Sequence, residues 1–301
     1  MDRMDANADP DADAGANTDT DTDTETETET GNAPGRARRG IETVAAAVDR
    51  TRLDGLALKP SENALGPTAS LVTVDYEGRE HLPGAGTLES LARAARLYVT
   101  APVRADGFDP HGEDGLYERV PPEAGLVFVA GNGAYLDERE RERAVAPRLR
   151  AALDRYGDGD RRPEPWVGTE GIRRVALAAG GVQYELLSRT TERDVRALRA
   201  AGFDGELAVY APVVRSTDED AVLDAIGAYV ARRKPVQAAL PEGAATGASA
   251  TGRTRDVLRS AATDYALVGN TARVRQRVGE LREAGVDTVV GYPARGLAAF
   301  G

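Results

Sequence analysis

No cysteine occurs in the 301 residues, which excludes a disulfide framework, a thiolate nucleophile, an iron–sulfur cluster and any cysteine zinc site. Histidine is nearly as scarce. His81 and His111 lie thirty positions apart, leaving no helical histidine pair and no multi-histidine metal centre without carboxylates from elsewhere. A histidine-rich hydrolase site and a bound metal are therefore not expected. No apolar run reaches the ~18 residues of a membrane span, and the acidic start is the opposite of a secretory or transit leader. These absences point to a cytoplasmic protein with neither membrane nor nucleic acid as partner. Lysine is rare too: Lys59 and Lys234 stand alone, and the other 36 bases are arginine.

What is present is charge, unevenly placed. Of the formal net charge of -11, residues 1–30 carry -10, with eleven acids against the single base Arg3, so the remaining chain is close to neutral at -1. Between Thr18 and Thr30 threonine alternates with aspartate or glutamate. Neither face of such a strand has anything apolar to bury, and disorder is the expected state. The segment reads as a solvated leader, or as an arm for a basic partner or for cations. Asn32–Gly40, with Arg36, Arg38 and Arg39 among glycine and proline, reads as a linker. The expected division is a tail and linker over 1–40 and one α/β domain over 41–301, with a flexible insert at 241–252 that holds only Gly, Ala, Ser and Thr after Glu242. The acidic leader and the preference for arginine resemble usage in salt-loving archaea, an inference about habitat rather than activity. Deleting residues 1–35 should leave fold and ligand binding intact.

Beyond residue 40 short apolar runs alternate with amphipathic stretches, the mark of an α/β layer architecture. Eight strands are expected, at Leu53–Leu58, Ser70–Val74, Leu97–Val103, Leu126–Gly131, Pro165–Gly168, Val182–Leu187, Glu206–Val214 and Asp287–Gly291. Helices are expected at about 41–52, 87–96, 137–156, 169–179, 191–201, 253–264 and 270–284, and where Val222, Ile226, Tyr229 and Val230 recur at helical spacing. Pro147 should break the 137–156 stretch, with a second helix starting near Ala146. Eight strands in this length suggest a (β/α)8 TIM-barrel-like fold. Two connections fit poorly: Pro60–Ala69 is short for a parallel crossover, and 104–124 reads as a loop. Strand 2 as a local excursion, an open or truncated barrel that is irregular in its first half, and a smaller doubly wound sheet stay open.

In such folds ligands gather at the carboxyl ends of strands. The residues following the expected strands are basic and glycine-rich: Lys59, Ser61, Glu62 and Asn63; Arg104, Asp106, Asp109 and His111; Gly131, Asn132 and Gly133; Gly168, Thr169 and Gly171; Ser188 and Arg189; Arg215 and Ser216; Tyr292 and Arg295. Five cations on one rim would favour an anionic small molecule bearing phosphate or carboxylate, unless arginine is simply common in every loop. Gly168-Thr169-Glu170-Gly171 joins a strand to a helix and could offer free N–H groups to a phosphate, against which Glu170 argues. Arg273, Arg275 and Arg277 crowd the start of the 270–284 helix, either for an anion or with Arg277 paired to Glu280. The carboxylates around His111 could act as acid and base or form a charged surface loop. A second copy of the chain, as a homodimer, is an alternative to the monomer.

The segments "PWVGTEGIRRVALAAGGVQYELL" and "ALVGNTARVRQRVGELREAGVDTVVGYP" resemble the strand, glycine turn and helix, and the last helix and strand, of the luciferase-like monooxygenase and deazaflavin-dependent oxidoreductase superfamily. The resemblance covers about 165–293. It implies a TIM barrel with extra helices before the last strand, a flavin (FMN) or F420-type deazaflavin as cofactor, and hydride transfer to a small molecule. It also implies that the cofactor phosphate is held at Gly168, Thr169 and Gly171. Lys59, Arg104 and Asn132 complete the expected cofactor-binding set. The family's Asp-His pair is replaced by Pro60-Ser61 after the first strand, its Asp-Gly is absent around Gly181-Val182, and Arg273 stands where an acid is usual. A degenerate, non-catalytic barrel that binds an anionic metabolite or a protein partner is the alternative.

Overall fold

The computed structural model describes residues 44–61, 69–78, 80–106, 108–111, 115–131, 136–157, 162–168 and 173–301. A helical stretch at 44–51 (α1) leads into β1 (Gly55–Leu58) and β2 (Leu71–Val74). There follow α2 (Ala85–Ala94), β3 (Arg96–Pro102), α3 (Leu116–Arg119), β4 (Gly125–Val129), α4 (Glu138–Glu142), α5 (Val145–Gly157) and β5 (Trp166–Gly168). The second half holds α6 (Arg173–Ala179), β6 (Val182–Leu186), α7 (Thr191–Ala200), β7 (Leu207–Val214), α8 (Glu219–Ala231), α9 (Lys234–Gln237), α10 (Gly252–Tyr265), β8 (Leu267–Val268), α11 (Thr271–Ala284), β9 (Thr288–Pro293) and α12 (Leu297–Phe300).

β1 to β7 follow one another around the sheet and β9 pairs with both β7 and β1, so eight strands close a barrel. Every pairing is parallel, and β8 adds two residues beside the carboxyl end of β7. The strands are apolar along almost their whole length because both faces are covered, one by the barrel interior and one by helices. All eight expected strands form. Closure excludes the truncated barrel and the doubly wound sheet. β2 is a full member between β1 and β3, contrary to its reading as an excursion. β1 has only four residues, roughly 13 Å at 3.3 Å per residue, so the short connection that follows can still return the chain. Among the described residues of 104–124 the one helix is the single turn α3.

The alternation of strand residues sorts the core into two shells. Ala57, Leu71, Tyr98, Val127, Trp166 and Val290 belong to the cluster inside the barrel, whereas Leu56, Val72, Leu97, Phe128, Val167 and Val289 pack outward under the helices. Inward glycines make room for large neighbours: a Cβ on Gly125 would lie 2.2 Å from the Tyr98 ring. At the amino end two aspartates pin the seams of β9. Asp54 accepts from Val289 N at 2.7 Å and from Arg282, and Asp287 accepts from Leu207 N at 2.8 Å and from Arg199.

Helix ends follow their sequence signals. α4 starts with a capping box between Asp137 and Glu140, and α5 opens at Val145 with Pro147 in its first turn, as expected. Asn270 caps α11 by accepting from Arg273 N at 2.9 Å, and Gly285 ends it at φ 110°. Between β7 and β9 lie α8, α10 and α11, the helices expected there, together with the single turn α9. The 241–252 segment lies against α8: Ala248 N donates to Asp224 Oδ1 at 2.7 Å, Ala250 is buried, and a Cβ on Gly227 would meet Thr246 O at 1.6 Å. Among the described residues no helix is long and apolar enough to cross a membrane.

Candidate active site at the barrel mouth

An aromatic ladder climbs the barrel interior. Tyr98, near the amino end, stacks on Trp166 at 4.5 Å between centroids; Trp166 meets Tyr184 at 5.6 Å, Tyr184 meets Tyr210 at 6.2 Å, and Tyr210 lies nearly parallel to Tyr292 at 6.2 Å and 16°. The lower rings fill the interior, as side-chain layers do in barrels of this kind. Tyr210 and Tyr292 are only half-buried and look onto the carboxyl end.

Period two places Leu71, Thr73 and Asp75 on one face of β2 and its continuation, and Ala57 and Lys59 on one face of β1. Since Leu71 and Ala57 face the interior, Asp75 and Lys59 stand at the mouth. Asp75 is half-buried, and the Tyr210 hydroxyl donates to its Oδ2 across the barrel at a long 3.4 Å. Burial lifts the Asp75 carboxyl to about 7; the Tyr210 hydrogen bond opposes the rise, Glu77 adds to it and Lys59 opposes it. Burial and the charge of Asp75 push the Tyr210 phenol well above its ordinary value. Lys59 lies 5.9 Å over the Tyr292 ring. The Thr73 hydroxyl, one step below Asp75, is buried with no hydrogen-bond partner among the described residues.

The expected site residues fare differently. Lys59 lies at the mouth. Arg104 donates to three backbone carbonyls, Nε to Ala130 at 2.7 Å, Nη2 to Gly131 at 2.7 Å and Nη1 to Arg141 at 3.3 Å, holding the end of β4 to the end of β3. Gly168 closes β5 where a Cβ would sit 2.7 Å from Tyr184 O, so packing alone requires glycine there. Asn132, Thr169 and Gly171 lie outside the described residues. Of the other rim cations, Arg215 donates to Phe300 O and Thr271 Oγ1, while Arg189 and Arg295 are exposed. Arg277 on α11 pairs with Glu280, as one reading anticipated, and also with Glu192 on α7. Asp106 and Asp109 near His111 pair with Arg143 and Arg148, and Arg143 holds the Asp106 carboxyl below the usual range. That loop is built as a stapled surface.

Asp75, Tyr210 and Tyr184 were missed. Asp75 directly follows the apolar run Leu71–Val74, but that run is buried on both faces and carries no polar alternation to show which residues face inward.

The class defined by this architecture is a closed parallel (β/α)8 barrel. The chain belongs to the family of unknown function DUF7388, whose model matches residues 48–300. No curated protein matches the chain. Among solved structures it is similar to the coenzyme F420 dependent tetrahydromethanopterin reductase from Methanopyrus kandleri, with a TM-score of 0.50 and 13% identity over 86% of this chain and 93% of that one. An F420-dependent secondary alcohol dehydrogenase in complex with an F420-acetone adduct matches with a TM-score of 0.47 and 12% identity over 86% and 90%. At these identities the likeness is one of fold.

Proposed function

We propose that the protein is an oxidoreductase that binds a deazaflavin, or failing that FMN, at the barrel mouth and passes hydride between it and a small molecule. The observation that carries this reading is the composition of the mouth. A flat conjugated ring with polar edges needs an aromatic wall and a few polar groups, and here Tyr210 and Tyr292 supply the wall while Asp75 and Lys59 supply the polar groups. The fold shared with an F420 dependent reductase supports the choice of cofactor class. The bound cofactor would supply hydride chemistry. This chain would orient the ring on the tyrosines, offer the Lys59 ammonium to negative charge, and exclude water from below through the filled interior.

Protein purified in high salt should be tested by absorbance and mass spectrometry for a bound cofactor, then titrated with oxidised deazaflavin and with FMN. Saturable binding at micromolar concentration is expected for the deazaflavin. No binding of either would remove this reading and favour a barrel without turnover that takes an anionic metabolite or a protein partner.

A further inference from the structure

We propose that Asp75 is the proton-transfer group of the barrel mouth and that Tyr210 is its positioning residue. The role as proton partner to a bound ligand rests on the reading of the mouth as the functional site.

The geometry has three parts. First, Asp75 sits one residue past β2 on the inward face and is half-buried. Second, the side chains facing it come from separate elements: Tyr210 from β7, with Tyr184 of β6 and Tyr292 of β9 behind it, Lys59 following β1, and Glu77 on its own segment. Among the described residues no arginine forms an ion pair with Asp75, whereas Asp106, Asp109 and Asp287 each have an arginine within 4 Å. Third, the Tyr210 hydroxyl can donate across 3.4 Å to one oxygen of the ionised carboxyl. The carboxyl's rise to about 7 gives it both protonation states near neutrality.

The step is simple to balance. A bound reduced deazaflavin would supply the hydride; protonated Asp75 would give its O–H proton to the acceptor heteroatom that gains the electron pair, and the ring proton of the oxidised cofactor would leave to solvent. Asp75 is left as carboxylate, held by Tyr210, and is reprotonated from solvent. The reverse reaction takes the proton back.

The test uses the full chain and a water-soluble carbodiimide with an amine, which modifies accessible protonated carboxyls, read by peptide mass spectrometry. At neutral pH, Asp75 should be modified in preference to the exposed carboxylates, with labelling that fades as pH rises through about 7. In Tyr210→Phe the fade should move to higher pH, because a hydrogen bond that favours the carboxylate is gone, and in Glu77→Gln to lower pH. A purely structural role for Tyr210 would not shift the midpoint. Failure of Asp75 to label at neutral pH, or a midpoint in the ordinary carboxylate range, overturns the proposal whether or not a cofactor binds. Should Asp75 label as expected while oxidised deazaflavin fails to protect it, the cofactor reading falls and the proton-transfer group stands. Protection together with an unchanged pH profile of hydride transfer in Asp75→Asn would overturn the proposal and leave the cofactor reading intact.

Discussion

The two halves of the barrel solve the same packing problem with different side-chain chemistry. From β5 to β7 strand and helix alternate one for one, and on the helices from α7 onward arginines pair mostly with carboxylates: Arg196 with Glu192, Arg259 with Glu219 and Asp256, Arg277 with Glu192 and Glu280. Between β3 and β5 the connections are irregular, and arginines donate to backbone carbonyls as well as to carboxylates. Arg162 reaches the carbonyls of Tyr117, Val120, Pro121 and Ala124; Arg148 reaches Val103 and Phe108; Arg104 reaches Ala130, Gly131 and Arg141. An irregular segment leaves carbonyls that no helix or ladder satisfies, and a planar guanidinium with five donors can serve several at once. Lysine cannot match that geometry, which gives a structural reason for arginine in these loops. Arg199, on Phe203 O, Gly205 O and Gly285 O, shows the same device in the second half where the chain turns below the barrel.

The comparison can be broken at several points. The largest effect is expected from Trp166→Ala, which removes the rung joining Tyr98 of the first half to Tyr184 of the second. A loss of about 3–5 kcal/mol is expected in urea unfolding followed by circular dichroism, in one transition; two transitions would show that the halves unfold separately. Next, Arg162→Met should cost about 2–3 kcal/mol and raise amide exchange around 117–124, whereas a loss below about 0.5 kcal/mol would reduce the carbonyl clamp to decoration. Asp75→Asn should act through pH. The folded-state value of about 7 lies above the ordinary 3.8, so the wild-type contribution is complete below the unfolded value and is lost as pH rises through about 7. The variant should lack that slope and exceed the wild type in stability at pH above 7. Equal slopes would place the titration elsewhere. The smallest effect, under about 0.5 kcal/mol, is expected for Arg193→Ala, an exposed pair with Asp194 on α7.

The second half was the more legible in sequence for the same physical reason. Two of its helices carry side-chain caps, α8 at Asp218 and α11 at Asn270, and α11 also shows the Val274, Val278, Leu281 stripe and the terminal Gly285. The strands were legible throughout, but their inward and outward faces were not. Buried on both sides, a run such as Leu71–Val74 gives no polar alternation to read, so nothing marked Asp75 as inward until the barrel was closed. The rim cations illustrate the converse: position after a strand was correct for Arg104 and Arg215, yet the carbonyls and ring they serve come from residues distant in sequence.

The most direct measurement compares the two ends of the barrel by the affinity of the full chain for oxidised deazaflavin, with Lys59→Gln at the mouth and Arg282→Ala at the amino end. Micromolar binding is predicted for the wild type, weakened on the order of tenfold in Lys59→Gln and unchanged in Arg282→Ala. No binding by the wild type, or an equal loss in the amino-end variant, would contradict the assignment of function to the mouth.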